Sequence, residues 1–205
     1  MRPLSLLRLT ALLGLSILSR LSTVSADNPD TNAPSNPVPS ITPVATNATT
    51  VTNSLVIPPE ADWKSLPPHP RLFANAARWE ELRHQITNDP VSMQLFEIQK
   101  KSADFLLTQP PVAFVKIGIR MLESMRQSLY RIETLASVAR LTGDRRYVDG
   151  ALVEMRGLAS LPNWNPSHFL DVAEASMALA IGYDWLYQDL SPEDRALCEL
   201  SLIHI

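Results

Sequence analysis

The sequence contains few of the residues from which small reactive sites are usually built. Its 205 residues include one cysteine, Cys198, six glycines and four histidines. A single cysteine has no partner within the chain for a disulfide bond. The sequence contains no glycine-rich phosphate loop and no nucleophile elbow, and its histidines lack the spacing of metal ligands. We therefore expect no cofactor and no bound metal, and we assign no catalytic residue.

A strong net charge is also missing. The 18 Lys and Arg residues nearly balance the 21 Asp and Glu residues, which leaves a formal net charge of −3. Domains that bind nucleic acid usually carry a strongly basic face. The composition therefore gives no electrostatic argument for a nucleic-acid partner. A hydrophobic content of 45% is ordinary for a globular protein.

The N-terminus has the pattern of a secretory signal peptide over residues 1–26. Arg2 and Arg8 form a basic start, a short apolar run follows over residues 9–18, and Val24-Ser25-Ala26 is a small-residue cleavage signal. The apolar run is short for a membrane span. We expect a secreted or periplasmic protein without a membrane partner, and an uncleaved membrane anchor is the alternative.

Three further segments can be distinguished along the chain. Residues 27–59 are mostly Pro, Asn, Thr and Ser, without aromatic or basic residues, and are predicted to be a disordered linker. Residues 60–199 are predicted to fold as one helical domain. Residues 200–205, LSLIHI, match the translation of a transposon-based sequencing adapter. We therefore expect the natural sequence to diverge after Glu199, which leaves this chain a fragment that lacks its own C-terminal part.

Cap residues and apolar spacing predict six helices and no strand. Five of the six predicted starts carry Asn, Asp or Ser at the N-cap, and proline follows at three of them. Gly143 is the predicted left-handed residue that ends the third helix. The five predicted N-caps are Asn75, Asp89, Asp144, Asn165 and Ser191. The fold class is therefore all-α, and successive hairpins favour a partial α/α toroid over residues 60–199.

The chain is predicted to be organised around one apolar helix, from Asn163 to Leu190, with Asn165 as N-cap and Pro166 at its first position. The helix is apolar on nearly every side, which is typical of a buried helix. The second helix, by contrast, is predicted to bury one stripe of side chains. That stripe comprises Val91, Leu95, Ile98, Phe105 and Leu106.

Polar residues near the start of the apolar helix are the candidate substrate-binding residues. His168, Asp171 and Glu174 are spaced by three and share one drifting helix face. Trp164 precedes them and is suited to stacking against a sugar ring. The alternatives are structural: the acids interact with the helix dipole and nearby arginines, and Trp164 packs the turn onto the core. Asp184 also has two interpretations. Its side chain faces a ligand, or it forms a local cap or ion pair.

Four short motifs, in this order, resemble the N-terminal helical domain of heparinase II/III-like polysaccharide lyases, which related alginate lyases share. The resemblance covers roughly residues 67–199. The motifs are His69-Pro70-Arg71-Leu72-Phe73, Leu141-Thr142-Gly143-Asp144, His168-Phe169-Leu170-Asp171-Val172-Ala173-Glu174, and Gly182-Tyr183-Asp184-Trp185-Leu186-Tyr187.

The resemblance implies a secreted enzyme that cleaves an acidic, uronic-acid-containing polysaccharide by β-elimination. It also implies an incomplete α/α toroid followed by a β-sandwich domain. The family's catalytic Tyr, His and Asn match no position of this chain, so the fragment itself is expected to be inactive.

Two other classes of protein compete with the lyase. A tetratricopeptide-like helical-repeat binding module would also place hairpins in succession, but it predicts a repeat of about 34 residues, which this sequence does not show. A glycoside hydrolase would need two carboxylates that flank a sugar bond. Asp171 and Glu174 lie on one helix turn and cannot do so.

Overall fold

A computed structural model describes residues 65–203, and from Pro67 onward these residues belong to one compact unit. The predicted signal peptide, 1–26, and the predicted linker, 27–59, lie outside the described residues. Across residues 65–203 the protein is all-α, with six helices and no strand, which confirms the predicted fold class. None of these helices combines the length and the apolar character that crossing a membrane requires.

The helices follow one another with short connections, except for a longer loop between the second and the third. Their bounds are α1 Ala76–Asn88, α2 Pro90–Leu107, α3 Leu122–Thr142, α4 Arg145–Ala159, α5 Phe169–Trp185 and α6 Pro192–Ile203.

Most helix ends lie where the cap residues predicted them. The side chains of Asn75, Asp89 and Asp144 each accept a hydrogen bond from a backbone N–H in the first turn of α1, α2 and α4. Ser191 Oγ accepts from the backbone N–H of Asp194 at the start of α6, at 3.1 Å. Gly143 ends α3 with φ 72°, a conformation that glycine adopts without steric cost. Local sequence therefore sets these boundaries.

Helices α3 and α5 lie side by side and run in the same direction. Near their starts, the backbone N–H of Met121 donates to Asp171 Oδ2 at 2.8 Å. Farther along, a Cβ atom placed on Gly182 of α5 would lie 2.8 Å from Ile132 Cγ2 of α3 and 2.7 Å from Met155 Sδ of α4. The absence of a side chain at Gly182 thus allows three helices to approach closely. The arrangement of the hairpins as a partial α/α toroid stays a prediction.

The core is continuous around α3, α4 and α5. The apolar face of α4 is buried, and Trp79 and Trp185 are each 1% exposed. The largest fully buried apolar side chains are Trp79, Trp185, Tyr147, Leu82, Met125, Ile132, Met155, Leu158, Leu179, Ile181 and Leu186.

The predicted start of α5 is wrong. The helix begins at Phe169, not after Asn165, and it ends at Trp185 rather than Leu190. Asn165 has φ 56° and is buried, and its side chain bonds to other segments of the chain instead of capping the helix. Tertiary hydrogen bonds therefore override the local N-cap signal. The first two residues of the helix are also exposed, Phe169 at 76% and Leu170 at 53%.

The predicted buried face of α2 is also wrong. Val91, Ile98 and Phe105 are 46%, 56% and 55% exposed, whereas Leu106 is buried. The residues that α2 buries are Ser92, Phe96, Gln99, Ala103 and Leu106. The face that meets the core is rotated by about one residue. It includes Gln99, whose Nε2 donates to Ser137 Oγ at 3.3 Å, and Ser92, whose Oγ donates to the cap residue Asp89.

Residues 112–119 form a loop. Backbone hydrogen bonds between Ile117 and Arg120 close a tight turn at the end of this loop. At the other end of the domain, α6 continues through residues 200–203, and Ser201 Oγ donates to the Ala159 carbonyl at 2.9 Å. The predicted non-native origin of residues 200–205 stays a prediction.

Candidate functional site

Three hydrogen-bond donors converge on Asp171 at the start of α5. Asp171 is 0% exposed. Its carboxylate accepts from Asn165 Nδ2 at 2.6 Å and from the backbone N–H of Met121 at 2.8 Å. The ring nitrogen His168 Nδ1 lies 2.8 Å from Asp171 Oδ1. We call Lys116, Asn165, His168 and Asp171 the α5 N-terminal cluster.

The donors in this cluster favour the ionised form of Asp171. Burial alone would raise the pKa of the carboxyl group because a charge is poorly solvated there. The hydrogen bonds from Asn165, Met121 and His168 outweigh burial, and the net effect lowers the pKa of Asp171. Asp171 is therefore a carboxylate at neutral pH and orients the groups around it.

Asn165 connects the cluster to the loop before α3. Its Nδ2 also lies 2.7 Å from the Ile119 carbonyl, and its Oδ1 accepts from Lys116 Nζ at 2.8 Å. The left-handed backbone of Asn165 turns the amide inward, and asparagine tolerates that conformation better than most residues do. One side chain thus holds α5, the loop and Lys116 in a fixed arrangement.

His168 and Lys116 are the parts of the cluster that reach solvent: 16% of the His168 side chain is exposed, and Lys116 is an exposed residue. When Nδ1 donates to Asp171, Nε2 becomes the proton acceptor of the neutral ring. A histidine held in this way by a buried carboxylate can accept a hydrogen bond from a ligand or transfer a proton. No capping hydrogen bond from the His168 side chain to α5 is present.

The other two predicted site residues lie apart from this pair. Glu174 Oε1 lies 3.3 Å from Arg126 Nε, so the two residues form an ion pair. This is the contact that the structural alternative predicted for Glu174. Trp164 is 3% exposed, and its indole N–H donates to the Leu158 carbonyl at 3.1 Å. Its ring packs against the core and lines a small surface pocket between the loop before α5 and α6.

A second His–Asp pair lies at the other end of α5. His69 Nδ1 lies 2.5 Å from Asp184 Oδ1, and Asp184 Oδ2 accepts from the backbone N–H groups of Arg71 and Leu72 at 2.8 Å each. The expected local pairing of Asp184 is therefore wrong, because these partners are more than 110 residues away in the chain. The sequence analysis did not predict this pair. The feature that could have indicated it is an acidic residue within an otherwise apolar helix.

Aromatic rings surround His69. Its ring stacks on Tyr187 with centroids 4.2 Å apart, and the Arg195 guanidinium lies 4.1 Å from the centroid of the same tyrosine ring. Tyr183 donates its hydroxyl hydrogen to Glu199. Burial, followed by the neighbouring Glu199, raises the pKa of Tyr183, so its hydroxyl stays protonated.

The two His–Asp pairs cannot act on the same bond. Asp171 and Asp184 lie near opposite ends of α5, about 20 Å apart along the helix axis at about 1.5 Å per residue. The pair at the start of α5 is the better candidate for ligand contact, since a basic, partly exposed loop adjoins it. The pair at the end of α5 anchors the segment that leads into the domain.

Between residues 65 and 203, no three His, Cys, Asp or Glu side chains are grouped as ligands of a metal ion. Cys198 is buried, and burial raises the pKa of its thiol to about 12, so the thiol is not a nucleophile at neutral pH. No protein-family model matches this chain, and no curated protein matches it significantly. The fold and the cluster define an all-α, helical-hairpin protein with an Asp-oriented histidine at its surface.

Proposed function

We propose that this chain is the N-terminal part of a secreted polysaccharide lyase that cleaves an acidic, uronic-acid-containing polysaccharide by β-elimination. The proposal rests on the resemblance of its four motifs to heparinase II/III-like lyases and on the contacts that those motifs make. The observation that carries it is the contact between the first motif and the last.

Four hydrogen bonds join the first motif to the last. Asp184 holds His69 and two backbone N–H groups of the segment after it, and Trp185 Nε1 donates to the Leu72 carbonyl at 3.0 Å. The third motif supplies His168 and Asp171 to the α5 N-terminal cluster. Three of the four motifs therefore lie at the two ends of α5 and take part in its contacts with the rest of the domain.

β-Elimination requires a group that neutralises the uronate carboxylate, a base that removes the neighbouring proton, and an acid that protonates the leaving oxygen. This domain contributes the scaffold and a basic, partly exposed surface beside His168. We assign the base and the acid to no residue of this chain. The polysaccharide and the remaining C-terminal part of the enzyme are the expected partners, and the incomplete toroid is the expected architecture.

The helical-repeat binding module is the alternative. Regular repeats need units of similar size that stack in the same way. Here helices α1 to α5 range from 13 to 21 residues. One residue, Asp89, connects α1 to α2, whereas residues 108–121 connect α2 to α3. This irregularity favours the lyase.

The test is to read the natural locus beyond codon 199, express the complete product and incubate it with uronate polymers and with neutral glucans. A lyase releases an unsaturated uronate, which absorbs in the ultraviolet, only from the uronate polymers. The proposal is overturned if the reading frame ends at Ile205. It is also overturned if the complete product folds and leaves every uronate polymer uncut.

A further inference from the structure

A small surface pocket adjoins the α5 N-terminal cluster, between the loop that precedes α3 and the first turns of α3. Its volume is about 240 Å³. Arg120 and Arg126 contribute the positive charge, and Glu123 is the acid at its edge. The other lining residues are apolar or contribute backbone: Val115, Ile117, Met121 and Leu122. We call this the Arg120–Arg126 pocket.

We propose that the Arg120–Arg126 pocket binds one carboxylate-bearing sugar unit of the polysaccharide, with the two guanidinium groups on the carboxylate. The inference rests on the proposed function, because that function supplies the substrate class. Arginine suits this role since its planar guanidinium can donate two parallel hydrogen bonds to a carboxylate.

Arg120 is held in place by its backbone while its side chain stays available. Its N–H and carbonyl bond to Ile117 at 3.1 and 2.8 Å, which closes a tight turn. Gly118 has φ 59° in that turn, where a residue with a side chain would be strained. Among residues 65–203, the Arg120 guanidinium has no hydrogen bond or ion pair. The turn itself is bound to α5 through Asn165 and the Ile119 carbonyl.

Arg126 is oriented by the predicted site residue Glu174. Glu174 contacts Nε of Arg126, at 3.3 Å, while the arginine side chain remains 33% exposed. That contact leaves the terminal nitrogens of the guanidinium for a ligand. Glu123, the remaining acid at the pocket, accepts from Gln127 Nε2 at 3.2 Å. Glu174 is thus a positioning residue in this proposal, and two arginines face one acid at the pocket edge.

The size and the lining fit a single sugar unit. Pockets for drug-sized ligands usually measure about 300–1,000 Å³, and this one is smaller. The exposed side chains of Val115 and Ile117, 56% and 72%, offer an apolar wall for the C–H face of a sugar ring. A carboxylate on the same ring would then face the arginines. Because these charges are exposed, added salt should weaken their attraction.

The test is a titration of the protein with a β-1,4-linked glucuronate trisaccharide and with cellotriose, which differ only in oxidation at C6. We expect the protein to bind the glucuronate more tightly, and we expect the preference to diminish as salt is added. The double variant Arg120→Gln/Arg126→Gln should bind the glucuronate about tenfold more weakly, since hydrogen bonds to a charged group are lost.

The matched control is Arg145→Gln, which removes an exposed arginine paired with Asp149 on α4. It should leave binding unchanged. The single variant Arg120→Gln provides a second readout if the double variant does not fold, since the Arg120 side chain bonds to nothing among residues 65–203. Helical circular dichroism identifies the variants that are folded.

The subsite is overturned if the protein does not bind the glucuronate trisaccharide, if it binds cellotriose equally well, or if folded arginine variants bind as tightly as the unaltered chain. This outcome is distinct from failure of the proposed function. Arginine-dependent binding by a complete product without lyase activity would retain the subsite and remove the lyase. Lyase activity that is insensitive to both arginine substitutions would retain the lyase and remove the subsite.

Discussion

His69 and Asp184 are in contact, with Nδ1 and Oδ1 2.5 Å apart, although 115 positions separate them in the chain. Asp184 is buried at the end of α5, and it also accepts from two backbone N–H groups of the segment that follows His69. Those N–H groups come from a stretch without regular secondary structure and need partners when they are covered. One carboxylate therefore fixes the path by which the chain enters the helical domain.

Substitution of Asp184 by Asn should lower the free energy of unfolding by about 2–3 kcal/mol, because charge-assisted hydrogen bonds are lost in a buried place. Urea unfolding followed by circular dichroism measures this change. The control is Asp149→Asn, at an exposed residue paired with Arg145, with an expected change within about 0.5 kcal/mol. Equal stability of the two variants would refute the anchoring role.

Two glycines should respond in opposite ways to replacement by alanine. At Gly182 a Cβ would lie 2.8 Å from Ile132 Cγ2, a branched side chain on a packed helix, so we expect a loss of about 1–3 kcal/mol. At Gly157 the nearest atom, Phe114 Cε2, would be 3.7 Å away. Alanine should therefore stabilise α4 there by about 0.5–1 kcal/mol. Thermal unfolding of both variants tests the sign, and destabilisation of both would contradict the packing argument.

Asn165→Ala should destabilise the protein by about 2–4 kcal/mol, because it removes three tertiary hydrogen bonds and leaves alanine in the left-handed conformation. Asn165→Gly separates the two contributions, since glycine tolerates the backbone, and should recover about 1 kcal/mol. Gln94→Ala, at an exposed residue of α2, is the control. Denaturant unfolding measures all three, and similar losses at Asn165 and Gln94 would disprove the bridging role.

Asp194 should make stability depend on pH. The hydrogen bonds from Arg156, at 2.7 and 2.9 Å, lower the pKa of Asp194, while burial opposes them. A lowered pKa in the folded state contributes stability that is fully present above the unfolded value, about 3.9. That contribution is lost as the pH falls through the folded value.

The unfolding free energy of Asp194→Asn should therefore approach that of the unaltered protein as the pH is lowered below about 4. Arg156→Gln should reduce the same acid dependence, because it removes the main cause of the pKa shift. A stability difference that stays constant from neutral pH to pH 3 would contradict this assignment.

Sequence patterns located most helix ends because the determinants are local. Asn75, Asp89 and Asp144 cap the helices that they were expected to cap, and Gly143 has the left-handed conformation expected after α3. A side chain can reach its own helix's first N–H groups without any tertiary contact. The same reasoning identified His168 and Asp171 as neighbours, since they are three residues apart at the start of a helix.

The wrong predictions concern residues that can interact either with neighbours in the chain or with distant residues. Asn165 had the sequence context of an N-cap, but its amide bonds to Asp171 and to the loop before α3. Asp184 was expected to pair locally, and its partners lie at the start of the domain. On α2, the exposed Val91 and Ile98 were expected to be buried, and the polar Ser92 is buried instead.

The amino-acid sequence alone determined the all-α class, the order of the six helices and most of their ends, because helical periodicity and capping depend on residues a few positions apart. Only the tertiary structure decided which face of α2 is buried, where α5 begins, and which groups surround Asp171, Asp184 and the Arg120–Arg126 pocket. These features depend on contacts between residues distant in the chain. The competition among such contacts is settled by packing and hydrogen bonding in the whole domain.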